Sequence, residues 1–275
     1  MKVMEAEFAK EFIRLCEDGW KKGWHEYHGG NLSYRLSTEE IEQVRDGLSQ
    51  DRADWVTMER EYPVLGGEFF AVTGSGECFR NAVVRPENAF GIVELNEKGN
   101  AYRVLWGLKK NGGKPTSEFL PHLSIHAIKK ELAGDKYHLV YHCHPTNIIA
   151  ASYILDHDEN TFTKALWDME PECPMTFPDG IGIIDWVVPG TAELAEATGE
   201  LMKKHDVVLW SQHGILAVGE GFDDTFGIAD TVEKASEILL KIMSVGTYTG
   251  KTPGKAQYKD LAKVFHLNLD EKYMG

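Results

Sequence analysis

The run from His138 to Tyr141 leads directly into His142-Cys143-His144. A short, mainly apolar run of this kind reads as a buried strand. Side chains on a strand alternate between faces, so His142 and His144 point one way and Cys143 the other. Two imidazoles on one face at a strand end are half of a metal site, and a fold that uses them must bring a further ligand to the same point. The candidate is His213, in Ser211-Gln212-His213-Gly214, which follows a second apolar run from Val207 to Trp210. Three protein ligands with an open fourth position are the pattern of a catalytic rather than a structural zinc.

Around these two runs the chain alternates helical and strand patterns without internal repeats. Phe8, Phe12, Leu15, Cys16 and Trp20 recur at helical spacing and predict a first amphipathic helix ending before Gly29-Gly30. Leu32 to Leu36 alternates as a short strand, and Ser37 with Glu40 has the form of a capping box opening a polar helix to about Gly47. The reading is irregular from there to Glu68. Phe69 to Thr73 is a strand, and Gly91 to Leu95 with Tyr102 to Trp106 is a hairpin turned around Asn96 to Asn100. Thr116 or Ser117 is expected to cap a helix from Glu118 to Leu132 that faces Leu123 and Ile128 inward. Helices are expected near Asn147 to Ile154 and Thr161 to Asp168, a strand over Ile181 to Val188, and a helix over Ala192 to His205. Val207 to Trp210 and Ile215 to Val218 read as strands, and Asp223 to Val245 as a long helix. Many short consecutive strands imply an α/β fold whose central sheet is mainly antiparallel and flanked by helices on both faces.

The 275 residues, 43% of them hydrophobic, show no linker or composition shift, so one domain over 1–275 is expected. The four cysteines, at 16, 78, 143 and 173, have no CxxC spacing and read as thiols of a reducing compartment. Met1 to Lys22 carries acidic residues among its apolar ones, unlike a signal peptide, and no stretch is long enough to span a bilayer, so a cytoplasmic location is expected. With 43 acidic against 29 basic residues the net charge is −14, which opposes nucleic acid binding. A phosphate site must then rest on backbone N–H groups, hydroxyls and a metal ion. No G-x-G-x-x-G follows a strand and no G-x-x-x-x-G-K-[ST] occurs, so dinucleotide and ATP sites lose support.

Three small polar loops could meet that need: Gly29-Gly30-Asn31, Thr73-Gly74-Ser75-Gly76 and Pro115-Thr116-Ser117-Glu118. Glycines let backbone N–H groups approach an oxyanion, and hydroxyls add donors. Each loop alone reads better as an ordinary turn or cap, and the three together are harder to dismiss. Glu118 falls in a first helical turn, where the helix dipole favours a carboxylate without any catalytic duty. Glu172, in a loop, reads by itself as a solvated charge. His122 and His126, four residues apart, form a rival metal pair, but Pro121 precedes them and packing is the better reading.

In order and spacing, Gly30-Asn31-Leu32-Ser33, Thr73-Gly74-Ser75-Gly76, Pro115-Thr116-Ser117-Glu118, His142-Cys143-His144 and Gln212-His213-Gly214 resemble the motifs of the class II aldolase/adducin family. The resemblance runs from about Trp20 to about Ser244. Gly23-Trp24, Leu166-Trp167, Phe177-Pro178-Asp179-Gly180 and the extra segment from Thr38 to Phe69 favour the branch that cleaves rhamnulose 1-phosphate. His28 departs from it, standing where that branch has an asparagine.

The resemblance implies a tetramer with active sites at subunit interfaces and one zinc per subunit, held by His142, His144 and His213. It implies that Glu118 is the acid/base, that Glu172 enters a neighbouring subunit's site, and that Gly30, Asn31, Ser75, Gly76, Thr116 and Ser117 hold a sugar phosphate. The implied reaction is reversible cleavage of L-rhamnulose 1-phosphate into dihydroxyacetone phosphate and L-lactaldehyde. Fuculose-phosphate cleavage and pentose-phosphate epimerisation are the neighbouring activities. An adducin-like binding module would need neither metal ligands nor a placed carboxylate.

Overall fold

The computed structural model describes residues 1–49, 54–110, 112–246 and 250–274. Among them nine strands form a mainly antiparallel sheet accompanied by helices. The chain divides into two compact units. One comprises Met1–Cys143 with Val218–Thr225, the other His144–Ala217 with Phe226–Gly275.

In the first unit the elements are α1 (Glu7–Lys21), β1 (Asn31–Arg35), α2 (Thr38–Val44), β2 (Val56–Thr57), β3 (Phe69–Thr73), α3 (Pro86–Ala89), β4 (Phe90–Leu95), β5 (Ala101–Gly107), α4 (Phe119–Ala133) and β6 (Leu139–Cys143). The strands run in the order β2-β5-β4-β3-β1-β6, and each pairing is antiparallel. Helix α1 buries Phe8, Phe12, Leu15 and Cys16 along one stripe, as the sequence spacing predicts, but Trp20, counted in that stripe, is exposed. The capping box at α2 is present: Glu40 N–H donates to Ser37 Oγ and Ser37 N–H to Glu40 Oε2. The β4–β5 hairpin turns where expected, with Asn96 Oδ1 accepting from the N–H groups of Asn100 and Ala101.

Helix α4 carries Glu118 at its start, and its anchoring explains that placement. Phe119 and Leu123 pack into a cluster with Phe70, Val72, Val93 and Leu95 from the sheet. Each buried side chain of this size contributes about 1.5–3 kcal/mol. The segment before Glu68, expected to be irregular, adds to this cluster. It contains β2 and a single helical turn, Pro63–Leu65, and buries Met58, Tyr62 and Leu65. Tyr62 then donates its hydroxyl to Leu120 O at 3.0 Å, tying the segment to α4.

The second unit holds α5 (Thr146–Ala151), α6 (Glu159–Trp167), α7 (Glu172–Thr176), β7 (Gly182–Ile184), α8 (Ala192–Met202) and β8 (Val207–Trp210). The chain continues through β9 (Gly214–Gly219), α9 (Phe222–Ser244) and α10 (Lys255–Phe265). Strand β8 pairs antiparallel with β9 and parallel with β7. The strand expected over Ile181 to Val188 is shorter, because Trp186 and Val188 are exposed and Pro189 follows. Helix α10, absent from the sequence reading, is held by the buried Tyr258, which donates its hydroxyl to Asp168 at 2.9 Å. Among the described residues no helix is long and apolar enough to cross a membrane.

Candidate metal centre and active site

His142 lies near the end of β6, 1% exposed, and its cross-strand partner on β1 is Asn31. Directly opposed residues of an antiparallel pair share a face with Cβ atoms about 4.5–5.5 Å apart, so the two side chains are neighbours. Asn31 Nδ2 in turn donates to Glu118 Oε2 at 2.8 Å. The first unit therefore gathers His142, Asn31 and Glu118 through one strand pairing and one hydrogen bond.

Glu118 sits differently from the sequence expectation. It is itself the residue before the first turn of α4, with φ −90° and ψ 12°, and neither Thr116 nor Ser117 caps the helix. Thr116 instead accepts the Glu118 N–H on its hydroxyl at 3.4 Å. The polar loop is a lead-in that fixes the carboxylate's backbone.

The three polar loops come together, and Thr73 is the knot. Leu32 N–H donates to Thr73 Oγ1 at 3.2 Å, and Thr116 N–H donates to Thr73 O at 2.8 Å. Ser75 N–H reaches Lys114 O at 3.0 Å, and Gly74 bridges Pro115. The antiparallel β1–β3 pairing brings the end of β3 to the start of β1, so residues 41 positions apart meet. Gly30 is required at the turn into β1: its φ is 76°, and a Cβ there would stand 2.7 Å from His142 O.

His25 was not singled out from sequence, and no local signal marks it. It is buried, stacked on Phe79 at 3.7 Å, with Nδ1 3.0 Å from Gly29 O and Nε2 2.7 Å from the Tyr141 hydroxyl. Since a carbonyl only accepts, Nδ1 carries the proton and Nε2 accepts from Tyr141. Burial raises the Tyr141 phenol well above its usual value, which keeps it a donor. This pair braces the Gly29-Gly30 turn against β6.

The rival pair is occupied elsewhere. His122 Nδ1 and His126 Nε2 both lie 2.8 Å from Ser33 Oγ, and burial lowers the pKa of His122 to about 3 and that of His126 well below the usual range. Two neutral imidazoles around one hydroxyl are a packed polar bridge between α4 and β1, as the packing reading expects. His28 is exposed, its ring tilted against Tyr27 with centroids 3.9 Å apart.

In the second unit His144 follows β6 and His213 closes the turn between β8 and β9. Their ring centroids are 5.0 Å apart. Trp210 pairs with Gly214, His213 N–H returns to Trp210 O at 3.0 Å, and Gln212 takes φ 63°. The ligand nitrogens of His142, His144 and His213 lie within 4.8 Å of one another. Three imidazole nitrogens gathered this closely fit the donor set of a single divalent metal ion. Glu172 is the first residue of α7 rather than a loop residue, and it is exposed. Its charge, after burial, raises the pKa of Glu170.

The family model described as Class II Aldolase and Adducin N-terminal domain matches residues 10–240. The chain belongs to the class II aldolase and adducin family. The match contains all three histidines and Glu118 and stops before α10. Relatives of this class II aldolase chain include rhamnulose-1-phosphate aldolase from Klebsiella pneumoniae, 41% identical over 245 residues, 89% of this chain and 88% of that protein. The protein of the same name from Mannheimia succiniciproducens is 39% identical over 244 residues and 89% of each chain. Among solved structures, a sugar-phosphate aldolase from Thermotoga maritima superposes with a TM-score of 0.73 at 27% identity, over 88% of this chain and 97% of that one. An L-fuculose 1-phosphate aldolase shares the fold with a TM-score of 0.59 at 19% identity, over 95% and 97% of the two chains.

Proposed function

We propose that this class II aldolase reversibly splits L-rhamnulose 1-phosphate into dihydroxyacetone phosphate and L-lactaldehyde, with one zinc ion per subunit held by His142, His144 and His213. The observation that carries the reading is three imidazoles within 4.8 Å of one another, in a chain 41% identical to an enzyme named for that substrate. When bound, zinc supplies a Lewis-acidic charge for the oxyanion that develops on the ketone half as the C3–C4 bond breaks. Three neutral imidazoles leave that charge undiminished.

The chain's own groups supply the rest. In cleavage the C4 hydroxyl loses its proton, the C3–C4 electron pair passes to the ketone half, and Glu118 delivers a proton to C3. Condensation runs the same proton backwards. Asn31 donates to one Glu118 oxygen at 2.8 Å and so orients the carboxylate that carries the proton. The Asn31 carbonyl oxygen, buried without a protein hydrogen-bond partner, suits a donor brought by substrate. The phosphate is held by Gly30, Asn31, Ser75, Gly76, Thr116 and Ser117. The N–H groups of Ser75 and Thr116 are given to Lys114 O and Thr73 O, so these two serve through their hydroxyls. Glu172, exposed on its own chain, completes the site of a neighbour in a homotetramer and moves the proton at the aldehyde oxygen. The enzyme acts in the cytoplasm as one catalytic domain. Among the described residues no disulfide joins its four cysteines.

Dihydroxyacetone phosphate release, coupled to glycerol-phosphate dehydrogenase, tests the reading against each candidate ketose phosphate. Rhamnulose 1-phosphate is expected to be the fastest substrate, with turnover lost on complete chelation and restored by zinc. Turnover that survives full metal removal refutes the zinc role, and fuculose 1-phosphate as the better substrate reassigns the reaction.

Asn31→Ala is expected to lower kcat about 10–100-fold with metal content unchanged. A hydrogen bond to a charged group is worth about 1.5–3 kcal/mol, and a carboxylate released from it loses its aim. Steady-state kinetics with metal analysis decide this, and an unchanged kcat removes Asn31 from the positioning of Glu118.

A further inference from the structure

We propose that Ser152, held by the His157–Asp185 pair, is a positioning residue that fixes His213 for metal binding by anchoring the Ser211–His213 turn. The proposal rests on the reading of His213 as a metal ligand.

The turn needs an anchor because Gln212 takes φ 63°, a left-handed conformation that side-chain-bearing residues rarely adopt. Ser152, the buried residue that ends α5, supplies one: Gln212 N–H donates to Ser152 Oγ at 2.8 Å. The Ser152 hydroxyl spends its own hydrogen on Ile149 O at 2.6 Å, so its lone pairs are left to accept. The hydrogen-bond chain from Gln212 to α5 thus has a fixed direction.

Ser152 is gripped from its other side. His157 Nε2 lies 2.6 Å from Ser152 O, and His157 Nδ1 lies 2.6 Å from Asp185 Oδ1. Both partners only accept, so the protonated ring, with a hydrogen on each nitrogen, is the form that makes both bonds. Its pKa is raised above the usual imidazole value by the Ser152 carbonyl first, then by Asp185 and Asp156, against the pull of burial. Phe162, from α6, is the uncharged ring packed beside it.

The other end of α5 is tied as well. The Glu233 carboxylate accepts the N–H groups of Asn147 and Ile148 at 3.0 Å, just past His144. One short helix therefore starts beside one ligand and, through Ser152, holds the turn that carries another.

Zinc dissociation constants of the full chain, measured by competition with a chromogenic chelator, test this. Ser152→Ala and His157→Gln are expected to weaken zinc binding about 10–100-fold, the usual cost of losing a group that orients a ligand. Ser152→Thr, which keeps the hydroxyl, is expected to restore binding. A raised folded-state pKa means the grip is complete at low pH and fades as pH rises through it, so the advantage of wild type over His157→Gln shrinks with rising pH. His213→Ala separates the two failures. If it abolishes zinc binding while Ser152→Ala and His157→Gln leave it unchanged, the positioning role falls and the metal site stands. If His213→Ala also leaves zinc binding unchanged, the metal reading itself falls. Should Ser152→Ala fail to fold, the half-buried His157 carries the test.

Discussion

His142→Ala is expected to leave the protein nearly free of zinc and to lower turnover about a thousandfold or more. The side chain is buried at the end of β6, and its nitrogen is one of only three that converge among the described residues. With it gone, two imidazoles must hold the cation, and the charge that stabilises the developing oxyanion is lost. Lewis-acid stabilisation is worth several kcal/mol, and each ~1.4 kcal/mol is tenfold in rate. Elemental analysis of the purified variant, beside kcat from the coupled assay, checks both parts. Stoichiometric zinc with wild-type turnover would remove His142 from the metal centre.

Glu118→Gln is expected to reduce kcat by about 10²–10⁴ in both directions while zinc content stays at one per chain. Glutamine is isosteric and its Oε1 still accepts from Asn31 Nδ2, so the 2.8 Å contact and the start of α4 remain. Only the capacity to carry a proton disappears. Exchange of the hydroxymethyl hydrogen of dihydroxyacetone phosphate with solvent deuterium isolates that step, because it needs no aldehyde. Exchange at the wild-type rate in Glu118→Gln would assign the proton to another group.

The two expectations differ in how they were reached. The pairing of His142 with His144 was read from strand alternation, a property of adjacent residues, and β6 does span Leu139–Cys143, although it ends one residue before His144. The capping box at Ser37, the hairpin at Asn96 to Asn100 and the stripe of α1 were legible for the same reason: the interactions that form them lie within a few residues. The loops at Gly30, Ser75 and Thr116 were legible as types only, and Thr73, which joins them, was not. Its bonds to Leu32 and Thr116 cross the chain, and a threonine at a strand end carries no local sign of them. The cap of α4 was misread because Thr116 and Ser117 are good capping residues, whereas packing of Phe119 and Leu123 sets where the helix begins. Helix α10 carries Tyr258, Leu261, Ala262 and Phe265 at helical spacing and was overlooked although that spacing is local; in the fold it buries only Tyr258.

The sequence by itself determined the kinds of groups available, namely imidazoles, one carboxylate at a helix start and small donors in glycine-bearing loops, together with the strands and helices that carry them. Periodicity and turn chemistry are written in neighbouring residues, so they survive without the fold. Only the tertiary structure decided that Asn31 stands opposite His142, that Glu118 is held by it, and that Gln212 leans on Ser152. Those pairings join residues 60 to 111 positions apart, and their free energy comes from burying surfaces that no local pattern specifies.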